Sequence, residues 1–304
     1  MPLAAMNHLL GEARAGGYAV CYCESWNLES FQAVVEAAEE MSSPIIAGFN
    51  GGFLRHRCRP KPERLTFYSG LRRALQESSA PVAFLLNETD DLEQIRQGIE
   101  LGFNAVMVES DYLEPDDYLQ LVKRVVGLAH AKGVSVEAQV GRLAHGSEEG
   151  HEPGRMTEPK PARALVEQTG IDALGIAIGN THVLTTGKAR IDLDCLARIR
   201  QQVDVPLVIH GGTGFPPDCV SEAIALGVAK FNFGTNLKQT CLAALRKGLD
   251  RYQEPMNPHP FLGMGGSMDI LASARDAVKH KVKDLIRTYT YAGQHSEVQR
   301  GETD

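Results

Sequence analysis

The sequence predicts an α/β fold, a closed (β/α)8 TIM barrel, and three observations carry that expectation. Short apolar runs alternate with helical stretches at a steady spacing along the whole chain, eight strand–helix units in succession. Such alternation implies a parallel sheet with right-handed crossovers. The chain has 304 residues, which accommodates the ~250 of a typical barrel with a terminal extension to spare. The competing open, doubly wound sheet normally carries a glycine-rich fingerprint after its first strand. Here "YAVCYCESWN" has no glycine after Gly17.

The units follow in order. "YAVCYC" (18–23) precedes the helix-like "LESFQAVVEAAEEM" (28–41), and "PIIAGF" (44–49) precedes a loop and then "TFYSGLRRALQES" (66–78). "PVAFLLN" (81–87) leads to "DDLEQIRQGIELG", and "NAVMVES" (104–110) to "PDDYLQLVKRVVGLAHAKG". "VSVEAQV" (134–140) runs into a polar, glycine-rich loop and a helix at 161–169. "DALGIAIG" (172–179) leads through a loop to "LDCLARIRQQV", "VPLVIHGG" (205–212) to "PDCVSEAIALG", and "VAKFNFG" (228–234) to "NLKQTCLAALRKGL". Runs of this length bounded by turn residues are the signature of buried strands, and the intervening stretches are long enough for helices. "ILASARDAVKHKVKDLIRTY" (270–289) reads as an extra amphipathic helix that could cover the barrel or pair subunits. The expected organisation is therefore one barrel domain over 1–304, with a helical extension at about 270–290 and a loose tail over 293–304.

Composition excludes several classes of function. The net charge of −7 leaves no basic footprint for nucleic acid. No apolar run approaches the roughly 20 residues of a membrane helix, and the N-terminus has acid and arginine where a signal peptide needs a long apolar region. The six cysteines are scattered without a C-x-x-C pair, which reads as reduced thiols in a cytoplasmic protein.

Active sites of such barrels lie at the C-terminal ends of the strands. Collecting those positions yields Cys23 and Glu24 after strand 1, and Asn87, Glu88, Asp90 and Asp91 after strand 3. Strand 4 ends at Glu109 and Asp111, strand 5 at Glu137 and Gln139, strand 6 leads to Asn180 and His182, strand 7 to His210, and strand 8 to Asn232 and Thr235. His210, in "LVIHGGTGF", could be a metal ligand, a general base or an ordinary hydrogen-bonded residue. Two histidines with a glutamate make an accepted zinc set with an open position. The glycines have a second use: in these barrels phosphate often sits on the loops after strands 7 and 8, held by backbone N–H groups. "GGTG" (211–214) and "NFGTN" (232–236) occupy those two places.

At this point the sequence resembles the class II, metal-dependent ketose-bisphosphate aldolases, the fructose- and tagatose-bisphosphate group. "NLESFQAVVEAAEEMSSPII", "AHAKGVSVEAQVG", "TGIDALGIAIGNTHV", "VDVPLVIHGGTG" and "GVAKFNFGTNLK" carry the resemblance, which spans most of the chain. It implies that His182 and His210 bind zinc. It also implies that Gly211, Gly212, Thr213, Asn232 and Thr235 hold phosphate. The pattern departs after strand 3, where the family has an Asp-His pair that moves the proton and binds zinc. Here Asn87 and Glu88 stand in those places. Asparagine is no acid or base near neutral pH, whereas Glu88 can take the ligand position. Other departures are "CYCESWN" for an Ala-Phe-Asn run, "ESDY" for Asp-Gly-Ser-His, Gln139 for a glutamate and Val183 for a glycine.

The expected function is a divergent aldolase acting on a phosphorylated ketose or related carbonyl compound, cleaving or forming a C–C bond through a zinc-stabilised enediolate. Zinc, or another divalent metal, would sit on His182, His210 and Glu88. A replacement for the lost aspartate at Asn87 would come from Asp90, Glu24, Glu109, Asp91 or a loop carboxylate (Glu148, Glu149, Glu152). Alternatives are a sugar-phosphate isomerase or epimerase on the same scaffold, or a non-catalytic sugar-phosphate-binding homologue. A phosphorylated small molecule is the expected partner, with no nucleic acid or membrane, in a homo-oligomer (dimer or tetramer).

Overall fold

The computed structural model describes residues 3–109, 113–146 and 154–291. Eight parallel strands close into a barrel: β1 (Val20–Ser25), β2 (Ile45–Asn50), β3 (Val82–Thr89), β4 (Ala105–Val108), β5 (Ser135–Val140), β6 (Ala173–Ile176), β7 (Leu207–Ile209) and β8 (Val228–Phe233). Closure is direct, with Val20 beside Lys230 and Cys23 beside Phe233 across the β1–β8 seam. The strand expected at 172–179 stops at Ile176, and that at 104–110 at Val108.

The crossover helices are α2 (Leu28–Glu40), α3 (Leu71–Glu77), α4 (Leu92–Glu100), α5 (Pro115–His130), α6 (Pro159–Thr169), α7 (Leu193–Arg200), α8 (Val220–Ala225) and α9 (Thr235–Leu249). Their starts follow local chemistry. Asn27 and Ser30 form a reciprocal capping box on α2, Asp91 accepts from Gln94 N–H to cap α4 at 2.8 Å, and proline opens α5 and α6. The helix expected over 66–78 is two pieces, Thr66–Ser69 and α3, parted at Gly70.

Period-two alternation divides the strands between two cores. Cys21, Cys23, Ala47, Phe49, Phe84 and Leu86 face the helices. Val20, Tyr22, Ile46, Ala83, Leu85, Ala105, Met107, Ala173 and Val208 form the barrel interior. An N-terminal helix that the sequence reading missed, α1 (Met6–Gly16), joins Met6, Leu9, Leu10 and Ala13 to that interior cluster. With Ala4 N–H bonded to Val82 O, it seals the N-terminal end of the barrel. The extra C-terminal helix α10 (Ile270–Tyr289) packs on α2 and α9 of its own chain, so it covers the barrel wall. All six cysteines are free. No helix among the described residues is long and apolar enough to cross a membrane. The tail expected from Gly293 lies outside the described residues.

Candidate active site

Continuing the inward alternation toward the C-terminal ends brings polar residues to one mouth: Glu24 on β1, Asn50 on β2, Asn87 on β3, Glu137 and Gln139 on β5, His210 after β7, and Lys230 and Asn232 on β8. All of them are buried. Apolar packing fixes the strands, and the mouth is where inward side chains turn polar.

Three expected ligands converge there. One ligand atom each of Glu88, His182 and His210 lies within 4.8 Å of the others. Glu88 has φ 52, a left-handed conformation that costs a non-glycine residue energy. Two amides hold its carboxylate: Asn87 Nδ2 donates to Oε1 at 2.8 Å, and Asn50 Nδ2 donates to Oε2. His182 lies in a two-residue parallel ladder, Thr181–His182 beside Ala144–His145. This ladder lies in segments expected to be loops, and it stacks the His145 ring on His182 at 5.5 Å, with His210 edge-on to His182 at 5.9 Å. Asn180 fixes the turn by donating to His210 O at 2.9 Å.

His210 is wholly buried between two carboxylates. Its Nε2 is 2.8 Å from Glu137 Oε1, and its Nδ1 is 3.4 Å from Glu88 Oε1 without a well-formed hydrogen bond. Burial pushes the imidazolium pKa down, but Glu137 and Glu88 outweigh it and raise His210 to about 9. Burial likewise pushes Glu88 up, and His210 and His182 outweigh it, bringing it to about 2. Glu137 also bonds Lys230 Nζ at 2.6 Å. Burial raises Glu137, yet Lys230 and His210 leave it net lowered and ionised. Lys230 was not expected at the site, whereas Glu137 was among the expected strand-end residues but without a role. The signal was present: a charged residue within each apolar run, "VAKFNF" and "VSVEAQ".

The second group of expected residues lies around the starts of the β7 and β8 loops. Gly211 has φ 69, and a Cβ there would come within 2.2 Å of Thr181 O. Only glycine fits that turn. Gly212 packs against Phe233 and Asn232 O, where a Cβ would meet a ring carbon at 2.7 Å. Thr213 Oγ1 accepts from Asn236 N–H at 3.3 Å, tying the glycine turn to the first turn of α9, which begins at Thr235. Both amide atoms of buried Asn232 lack hydrogen-bond partners. A helix N-terminus, a glycine turn and an unpaired amide meet here, donors of the kind that can hold an anion. Val183 sits in the left-handed region, φ 51, so the backbone retains a conformation suited to glycine although a β-branched residue occupies it.

The candidates for proton transfer separate. Asp91 caps α4 and pairs with Arg55 at 2.7 Å. Asp90 is exposed. Glu109 accepts from Gln139 Nε2 at 3.0 Å. Glu24 is buried at the mouth, paired with Lys238 Nζ of α9, and its Oε2 is so near Gly234 that a Cβ there would approach to 2.9 Å. Burial raises its pKa, partly offset by Lys238. Lys238, whose Nζ stands 4.6 Å over the Phe53 ring, also neutralises this carboxylate beside the start of α9. Asp111, Glu148, Glu149 and Glu152 lie outside the described residues.

Comparison with protein families matches residues 4–294 to Fructose-bisphosphate aldolase class-II. The chain belongs to the class II fructose-bisphosphate aldolase family. Relatives of this family member include fructose-bisphosphate aldolases of Thermus caldophilus, 34% identical over 94% of this chain and 97% of that one, and of Staphylococcus aureus, 33% identical over 95% and 98%. Among solved structures it is similar to the YdjI aldolase from Escherichia coli K12, with 28% identity and a TM-score of 0.77 over 94% of this chain and 97% of that one.

Proposed function

We propose that this chain is a metal-dependent aldolase that makes or breaks a carbon–carbon bond next to the carbonyl of a phosphorylated ketose or related compound. The observation that carries the reading is the convergence of Glu88, His182 and His210 within 4.8 Å, on the rim that also carries the anion cradle. Relatives named as aldolases along nearly the full chain support the reaction class.

The donors fit a divalent metal, zinc in the first instance. Two imidazoles and a carboxylate are an accepted set that leaves a position open, and His210 Nδ1 is a buried nitrogen without a hydrogen bond. Such a metal supplies Lewis-acid polarisation of the substrate carbonyl. The chain's own residues do the rest. Gly211, Gly212, Thr213, Asn232 and Thr235 hold the phosphate and so fix the carbonyl end. Asn87 and Asn50 hold Glu88 in its ligand geometry and take no proton. Glu24 takes the proton from the hydroxyl beside the bond being cleaved and returns it in condensation, because it is the buried carboxylate at the mouth with a raised pKa.

Metal content of the purified protein, with turnover over a panel of ketose mono- and bisphosphates, tests this. Bound metal with cleavage of at least one phosphorylated ketose is expected. A protein that takes up no metal even after zinc is added back would sink it. Asn87 favours a second reading, a binding protein without turnover, which predicts phosphate-dependent binding of the panel and no products.

A further inference from the structure

Among the polar residues of the mouth is a buried charged pair that the proposed reaction does not use. Glu137 and Lys230 are both fully buried, with Oε2 and Nζ 2.6 Å apart. Lys230 Nζ stands 5.1 Å over the Tyr22 ring. The surrounding interior positions are apolar: Leu85, Met107 and Val208. Stability does not account for the exception, since a buried ion pair is commonly no better than well-packed apolar residues of the same volume. The pair's remaining carboxylate oxygen is committed elsewhere, 2.8 Å from His210 Nε2.

We infer that Glu137 and Lys230 are positioning residues that hold His210 with its proton on Nε2 and aim Nδ1 at a divalent metal. This rests on the metal centre proposed above. An ionised carboxylate only accepts hydrogen bonds, so Nε2 must be the donor when Glu137 faces it. The neutral ring then presents its lone pair at Nδ1, on the side where Glu88 Oε1 lies at 3.4 Å. Lys230 provides the countercharge without which an ionised carboxylate in this interior would be very costly. It also engages Oε2, leaving Oε1 for the imidazole. Carboxylates behind metal-bound histidines set ring orientation and tautomer in this way.

Glu137→Gln tests the arrangement without changing volume. Lys230, which only donates, draws the amide oxygen, so the amide NH2 turns to His210 Nε2 and favours the proton on Nδ1. Zinc affinity, read by competition with a chelating dye, should fall roughly 10–100-fold. Adding Lys230→Met frees the amide oxygen to accept from Nε2–H, and the double variant should regain most of that loss. A purely structural pair would instead lower the melting temperature of both variants and leave zinc affinity unchanged, which would overturn the inference, as would a double variant no better than the single. Nitrogen-15 NMR of His210 in metal-free wild type at alkaline pH reads the tautomer independently of metal. A proton on Nε2 is expected, and one on Nδ1 would overturn the inference even in a protein that binds zinc. Wild type with no zinc affinity but the Nε2 proton would remove the metal centre and, with it, the role assigned to the pair.

Discussion

Glu88 Oε1 lies 3.4 Å from His210 Nδ1, although the two residues come from β3 and the end of β7 and are separated by 122 positions in the chain. In the metal-free protein this is an ion pair, since His210 is raised to about 9 and Glu88 lowered to about 2. The same atoms are the donors a divalent metal would use.

Loss of either partner should therefore cost metal. His210→Ala and Glu88→Ala are each expected to weaken zinc by more than the roughly 10–100-fold that residues behind the ligands contribute. Metal analysis after dialysis against a weak chelator checks this, and full occupancy in both variants would refute the ligand assignment.

Zinc uptake should depend on pH through His210. A proton on Nδ1 competes with metal below about 9, so apparent affinity should climb roughly tenfold per pH unit toward that value and then level off. Stability without metal has the opposite sense. A raised imidazole pKa gives a contribution fully present below the ordinary value of about 6.5 and lost as pH rises through about 9. Titrations across that window, with and without zinc, measure both.

The cradle predicts selectivity for phosphorylated ligands. A hydrogen bond to a charged partner contributes about 1.5–3 kcal/mol, so Thr235→Val should weaken a sugar phosphate by roughly tenfold or more while leaving the parent sugar unaffected. Calorimetry on the matched pair decides it, and equal affinity for both in wild type would remove the site.

Proton transfer divides between two positions. Glu24→Gln should lower turnover by roughly 10²–10⁴-fold with little change in metal content. The paired change Asn87→Asp and Glu88→His should raise cleavage of fructose or tagatose bisphosphate. Asn87→Asp alone should not, because Asn87 Nδ2 is 2.8 Å from Glu88 Oε1 and aspartate there would face a like charge. Efficient cleavage by wild type together with an undiminished Glu24→Gln would overturn this division of roles.

Val183→Gly should stabilise the chain. Relief of a left-handed β-branched residue gains about 1–3 kcal/mol, against roughly 0.5–1 kcal/mol for glycine's extra freedom in the unfolded chain. Val183 is 37% exposed, so little burial is lost. Thermal denaturation should give a melting temperature higher by a few degrees, and an unchanged or lower one would show that the backbone there is not strained.

Much of the fold was legible because strand period, helix amphipathicity and turn residues are local properties. Eight alternating units with no glycine-rich fingerprint after the first strand point to closure whatever their exact ends, and the position of "HGGTG" at a strand terminus already puts His210 on the rim where such barrels carry their sites. The N-terminal helix was legible but missed, since Met6, Leu9, Leu10 and Ala13 fall at i, i+3, i+4 and i+7; what that face seals is decided only by the closed barrel. The strand-3 substitution was equally plain, since Asn87 and Glu88 are read directly from the chain.

What only the tertiary structure decided is which charged groups meet. Glu137 and Lys230 are 93 positions apart, and nothing in either strand states that their side chains share the barrel interior. Inward direction follows from the alternation, but contact across the interior depends on strand stagger and closure. The same holds for Glu24 and Lys238, and for the orientation of Glu88, whose left-handed backbone turns its carboxylate toward two histidines. The sequence alone determined the barrel, its working rim and the residue types available there. Folding chose the partners, because electrostatic pairing in a buried interior depends on distances that only the closed sheet sets.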